Sequence, residues 1–254
     1  MAVPRAACRA EADTGAYVVK CSGAGRKGVV VSESWQDEVL WRCLSKARSA
    51  PYLAAASGDS ARALRLYAWN MEVSSAFLGP LHVLEVCLRN GVDDRLTVLA
   101  GRPDWWRSDI KFTFVAERMV QDSIKKCRIR KDVTPGSVIA ELPLGFWVGL
   151  FGSGGSCQYE TTLWRPALRK VFPGYRGSRR DLHSDLDHVR AFRNRVAHHE
   201  PIHRRHLAAD RETIVRLLRL MSPTAASWVV THDRVPEVLA RRSAVIGGAA
   251  SPSF

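Results

Sequence analysis

The stretch DLHSDLDHVRAFRNRVAHHEP, residues 181–201, decides how this chain is read. At about 100° per residue, Leu182, Leu186, Val189 and Val196 fall on one helical stripe with Arg193 in its middle. The spacing predicts an amphipathic helix over 181–199 with a guanidinium at a core position. A buried guanidinium without a partner is strongly unfavourable. Either a carboxylate meets it, or the face opens onto a cleft or second subunit where an anion binds, or the side chain snorkels outward with its stem packed. Beside this stripe His183, Asp187, Arg190, Asn194 and His198 share about 80° of arc. Pro201 disfavours helix at Glu200, which puts His198 in the last turn. An imidazole there changes charge near physiological pH, as a general acid or base must.

An arginine that grips a phosphoryl group, a histidine that moves a proton and an asparagine that positions suffice to cut RNA without metal, because the ribose 2′-OH supplies the nucleophile. His198 would deprotonate that hydroxyl or protonate the leaving 5′-oxygen, and Arg193 would stabilise charge on the pentacoordinate phosphorus. One histidine cannot readily do both jobs. His199 or a second copy of His198 across a two-fold axis would supply the other, which predicts a homodimer with a shared groove.

Working outward, the 254 residues carry 38 Lys and Arg against 25 Asp and Glu, a formal charge of +13. Between Arg165 and Arg219 there are 14 basic and 6 acidic residues, so +8 of the surplus lies in 55 residues. An RNA or DNA surface fits that concentration; a merely solvated face fits it as well. Hydrophobic residues at 46% and charged ones at 25% exclude a wholly disordered, collagenous or coiled-coil chain. Six scattered cysteines, at 8, 21, 43, 87, 127 and 157, argue against a zinc ribbon or disulfide framework. The most apolar stretch, Leu142 to Gly155, is shorter than the roughly 20 residues of a membrane span and contains Pro143, so no membrane partner is expected. Arg5, Arg9 and Glu11 interrupt any signal-peptide core, and the expected compartment is the cytoplasm.

The pattern is helical almost throughout, and an all-α, multi-helix bundle is expected. Ser34 would cap a helix running from Trp35 to before Pro51. Asp59 would open another through Leu64, Leu66, Tyr67 and Met71, and Pro80 would begin a third with Leu81, Leu84, Leu88, Val92 and Leu99 on its apolar stripe. Arg102 to Asp104 reads as a turn. Further helices are expected at 112–128, 137–151, 160–172, 207–221 and 235–242. Residues 1–31, with weak strand signals at Tyr17–Lys20 and Val29–Val31, and residues 243–254 are expected to be mobile ends around a single domain over 32–242.

Arg193-Asn194-Arg195-Val196-Ala197-His198 fits the R-x4-H signature of HEPN ribonucleases, and FRNRVAHHEPI resembles the hallmark of the Abi-like (abortive infection) branch of that superfamily. LEVCLRN (84–90) and LGFWVGLF (144–151) are similar to its two other blocks, so the resemblance covers about residues 35–242. It implies a HEPN-like helical fold, a homodimer with facing signature helices, metal-independent endoribonuclease activity and a toxin or phage-defence role. Arg193 and His198 would take the catalytic positions, with Asn194 the polar residue after the arginine. Some such toxins carry a tyrosine shortly after the histidine that a partner antitoxin modifies. Here His199 and Glu200 follow instead, which leaves an antitoxin possible as a partner but that mode of control in doubt. A non-catalytic RNA-binding or sensing module on the same scaffold is the alternative reading.

Around this centre His199, Glu85, Arg89, Asn90 and Asp187 are supporting candidates. Glu85 and Arg89 stand four apart on one face and suit an ion pair, yet Glu85 could instead partner Arg193, and Arg89 and Asn90 could flank the groove. Arg190, Arg195, Arg204 and Arg205 are candidate contacts to the RNA backbone. No cofactor or metal is expected. His199-Glu200-Pro201-Ile202-His203 matches H-E-x-x-H, but Pro201 denies it the unbroken helical turn that a zinc protease needs. The basic run from Lys125 to Lys131 reads as an exposed helix end, GLFGSGGS (149–156) as a helix connection rather than a phosphate loop, and Trp105-Trp106 as core rather than a base-stacking platform.

Overall fold

The computed structural model describes residues 33–254, so the expected strands and mobile end within 1–31 lie outside the described residues. Among the described residues there is no strand, and the architecture is an all-α bundle around one long helix. Two short helices lead in, α1 (Glu33–Leu44) and α2 (Lys46–Ala55). They are two because Ser45 adopts a left-handed φ of 70°, while its hydroxyl accepts from the Arg48 N–H and caps α2. Pro51, expected to lie just beyond the helix, sits inside α2, because the break at Ser45 shifts the second helix forward.

Asp59 caps α3 (Ser60–Ala100), accepting from the Arg62 N–H, and Gly101 ends it at φ 68°. The helix runs 41 residues straight through Pro80, where the sequence suggested a new start. Pro80 removes one backbone donor and strains the turn before it. The apolar row is nevertheless continuous across it: Leu66, Trp69, Val73, Phe77, Leu81, Leu84, Leu88, Val92 and Leu96 are all buried. Tertiary packing on both sides holds the helix together. The expected stripe was turned at both ends, since Leu64, Tyr67 and Met71 are only half-buried and Leu99 is exposed. By length and composition α3 could cross a membrane; in this fold its buried row packs against the other helices.

Those helices follow in order. A 3-10 turn at Trp105–Arg107 buries Trp105 completely; its indole donates to Asp93 and stacks on Phe146 at 5.8 Å. Then come α4 (Phe114–Ile129), capped by Thr113, and the two short helices α5 (Pro135–Glu141) and α6 (Leu144–Gly149), which Pro143 separates where one helix was expected. The basic run ending α4 is exposed, with Lys126 and Arg130 both paired to Glu141. Residues 152–172 carry a 3-10 turn at Gly155–Cys157, a π-helical turn at Glu160–Trp164 and a 3-10 turn at Leu168–Val171, so the helix expected over 160–172 is present as two short pieces of non-α geometry. Gly154 is required there, since a Cβ would lie 2.3 Å from the Tyr159 ring.

α7 (Arg179–Ala197) starts at the Ser178 cap and packs on α3, α6 and α8 (Leu207–Met221). The chain ends in α9 (Pro223–His232), which the periodicity did not suggest, then α10 (Val235–Ala240) and α11 (Arg242–Gly247). Residues from Ser243 onward were expected to be mobile. Instead Val245 is fully buried beside α3, and Arg241 donates to the Ser251 carbonyl at 2.7 Å.

Candidate active site

The three sequence blocks singled out above lie on α3, α6 and α7, and these helices pack pairwise. Leu182, Leu186, Val189 and Val196 are buried as their spacing demands, but so is Phe192, whose ring meets Phe77 edge-on at 4.7 Å. Phe192 rotates the buried face of α7 away from Arg193. Arg193 is therefore not a core residue: its side chain is 37% exposed and emerges at the rim of α3. There its Nε donates to Glu85 Oε2 at 3.1 Å. The carboxylate that a half-buried guanidinium needs comes from the LEVCLRN block. The expected Glu85–Arg89 ion pair is not formed, because Glu85 turns to α7; Arg89 stands in the field of Asp93. Asn90 is exposed.

α7 stops at Ala197, and His198 is its exposed C-cap residue, with its N–H on the Asn194 carbonyl at 2.9 Å. His199 follows at φ 56°, a left-handed conformation uncommon for any residue but glycine. The His199 N–H bonds Val196 O and the Glu200 N–H bonds Arg195 O, which is the Schellman closure of a helix end. Arg48 of α2 donates to the His199 carbonyl, and Glu200 reaches back to Arg195 at 3.3 Å. The imidazole of His198 thus sits on a doubly fixed turn, five residues or about 1.4 helical turns beyond Arg193, and is open to solvent. An apolar cavity of about 580 Å³ adjoins this end, lined by Met71, Ser74 and Leu78 of α3, Ala197, His199 and Phe254.

The other candidates separate. Asp187 and Arg190 pair with each other at 2.8 Å on the half-exposed side of α7, the Arg190 stem passing Gly145 of α6. Asn194 is half-buried and Arg195 exposed. Arg204 and Arg205 lie beyond the turn: Arg204 donates to the Pro51 carbonyl at 3.2 Å, and Arg205 makes a two-point contact with Asp210 at 2.7 and 2.9 Å. The H-E-x-x-H string is not a helical turn, with His199 exposed and His203 buried. Among the described residues no group of three or more His, Cys, Asp or Glu side chains is placed to hold a metal.

Sequence reasoning missed two polar clusters. Asn70 of α3 is buried, and its Oδ1 accepts from the Ile202 and His203 N–H groups at 2.8 and 3.0 Å, which fixes the loop after α7. An asparagine inside WNMEV, next to the most apolar face of α3, was the available signal. Asp210, also buried, takes His188 Nε2 at 2.7 Å beside Arg205, whose guanidinium lies 5.1 Å from the Phe192 ring centre. The hydrogen bonds to Asp210 push the Arg205 pKa up. No family model matches the chain, nor does any curated protein or solved structure.

Proposed function

We propose that this chain is a metal-independent endoribonuclease of the HEPN type, of the Abi-like branch, acting as a homodimer in the cytoplasm as a toxin or phage-defence effector. The observation that carries the reading is the Glu85–Arg193 contact at 3.1 Å, which ties two separate sequence blocks together at the half-exposed root of the turn bearing His198. Arg193 is oriented by its carboxylate yet keeps part of its guanidinium in solvent, where a phosphate oxygen can be bound. In the reaction the 2′-oxygen attacks the adjacent phosphorus as His198 takes its proton. The P–O5′ bond breaks, leaving a 2′,3′-cyclic phosphate, and the 5′-oxygen leaves with a proton from the second copy's histidine. Asn194 positions the scissile group. Leu78, 54% exposed beside the apolar cavity at the end of α7, supports a seam between two copies there.

Wild type and His198→Ala are to be compared on labelled single-stranded RNA with and without EDTA. The expectation is cleavage to cyclic-phosphate ends that EDTA does not change, lost in the variant. Binding without cleavage by the wild type would replace the reading by a non-catalytic RNA-binding module, and EDTA-sensitive cleavage would exclude the metal-free mechanism.

A further inference from the structure

A second cationic site, which the reaction above does not use, closes around His203. A cavity of about 380 Å³ is lined by Arg62 and Leu66 of α3, His203, Arg204 and Arg205 of the loop between α7 and α8, and Arg242 of α11. Four guanidiniums meet there, and among the described residues no carboxylate lines the cavity. Arg205 is occupied by Asp210. The other three rest on neutral groups or solvent: Arg242 donates to the His203 carbonyl at 3.0 Å and lies over the Trp69 ring, Arg204 donates to the Pro51 carbonyl, and the Arg62 side chain is exposed.

The floor supplies the second observation. His203 is 2% exposed, and neither ring nitrogen has a hydrogen-bond partner. The Tyr52 ring packs against it at 4.9 Å, and the Tyr52 hydroxyl, also buried, has no partner either. A buried polar group left unsatisfied is destabilising and calls for a compensating ligand or role. Burial, then the charges of Arg204 and Arg242, push the imidazole down to about 4. The ring is therefore neutral, with one N–H to donate. Unpaired guanidiniums above a buried neutral donor make a receptor for a tetrahedral oxyanion.

We propose that this cavity binds a terminal phosphate group, carried by a free nucleotide or by the 5′ end of an RNA, with Arg62, Arg204 and Arg242 as its charge partners and His203 donating from the floor. An adjoining concavity of about 550 Å³ shares Arg62 and Arg242 and adds Asp59 and Ser243, whose oxygens suit ribose hydroxyls. The site does not depend on the ribonuclease reading, since it shares none of Arg193, Asn194 and His198.

The test is calorimetric titration of the full chain with inorganic phosphate, adenosine 5′-monophosphate, adenosine, and one short oligoribonucleotide bearing either a 5′-phosphate or a 5′-hydroxyl. Binding is expected wherever a terminal phosphate is present and absent for adenosine. The 5′-hydroxyl oligomer should bind about tenfold more weakly than its phosphorylated twin. Equal strength for the monophosphate and the 5′-phosphorylated oligomer assigns a free nucleotide; a stronger oligomer that inorganic phosphate displaces assigns the RNA end. Arg62→Glu, at an exposed position, should lower each affinity about tenfold with the melting temperature kept, and His203→Phe tests the floor donor separately. Absence of binding by every phosphate-bearing probe, or binding indifferent to the phosphate or to both variants, overturns the proposal.

Discussion

Arg193 and the arginines around His203 come from the same basic stretch, or meet it in the fold, yet they are built on opposite electrostatic plans. Arg193 is met by a carboxylate from α3 at 3.1 Å, whereas Arg62, Arg204 and Arg242 converge on a cavity that, among the described residues, no carboxylate lines. A paired guanidinium is held in one orientation and partly neutralised; unpaired ones repel each other and make an anion welcome. The surplus of +8 between Arg165 and Arg219 therefore says little as a sum. What each arginine finds opposite it decides what it can do.

The largest effect should come from the paired site. If Arg193 stabilises charge on phosphorus as proposed, Arg193→Ala should lower cleavage by about 10²–10³, as for loss of one preorganised donor. Because Arg193 is at the rim, circular dichroism and melting should stay close to wild type. Full activity in the variant would separate Arg193 from the chemistry and erase its side of the contrast.

The unpaired site makes its prediction through pH. His203 titrates near 4 in the folded chain against an ordinary value of 6.5. Above pH 6.5 both folded and unfolded chains hold it neutral and nothing is lost. Between 6.5 and 4 the unfolded chain takes up a proton that the folded chain refuses, so stability falls with falling pH; below 4 both are protonated and the loss from this group stops. At 1.36 kcal/mol per pH unit the total is about 3 kcal/mol. Denaturant unfolding of wild type and His203→Phe, in buffer free of phosphate, isolates it: the wild type should lose stability relative to the variant across that window. Parallel curves would mean the imidazole is not shielded as its burial implies.

How much of this was legible beforehand differs between the two sites for a physical reason. Only the α7 side of the paired site is local: that helix and its end near His198 follow from helical spacing and Pro201, whereas Glu85 lies 108 residues away and stood only as one of two possible pairings. Even there, Phe192 displaced Arg193 from the core position, because ideal spacing cannot say which of two adjacent stripes a neighbouring ring such as Phe77 will claim. The cavity around His203 joins α2 and α3 to the loop after α7 and α11, two groups of segments more than a hundred residues apart in the chain, and no spacing rule joins them. Asn70 and the passage of α3 through Pro80 were hidden likewise, since each depends on what packs against α3. In isolation WNMEV and GPL read as a polar interruption and a helix start.

A smaller effect sharpens the paired side. Glu85→Gln keeps the shape and the acceptor but removes the charge, and a half-exposed pair of this kind is worth up to about 1 kcal/mol. Stability should change by no more than that. Cleavage should drop only severalfold, because Arg193 keeps a hydrogen-bonding partner. Loss as deep as that of Arg193→Ala would make Glu85 a reacting group rather than a positioning residue.

The smallest expected effect lies at the turn between the two sites. His199 holds φ at 56° to close α7, and Arg48 fixes its carbonyl there. Glycine adopts that conformation without steric cost, but it also loosens the unfolded chain, so His199→Gly should stabilise by at most about 1 kcal/mol, or a few degrees in melting temperature. If the second proton is carried by His198 of the other copy, as proposed, cleavage should survive this change nearly intact while the melting point rises. A fall matching that of His198→Ala would move the second proton to His199 and make the strained turn part of the chemistry. The paired site would then be complete within a single chain, and the need for two copies, which rests on one histidine being unable to do both jobs, would disappear.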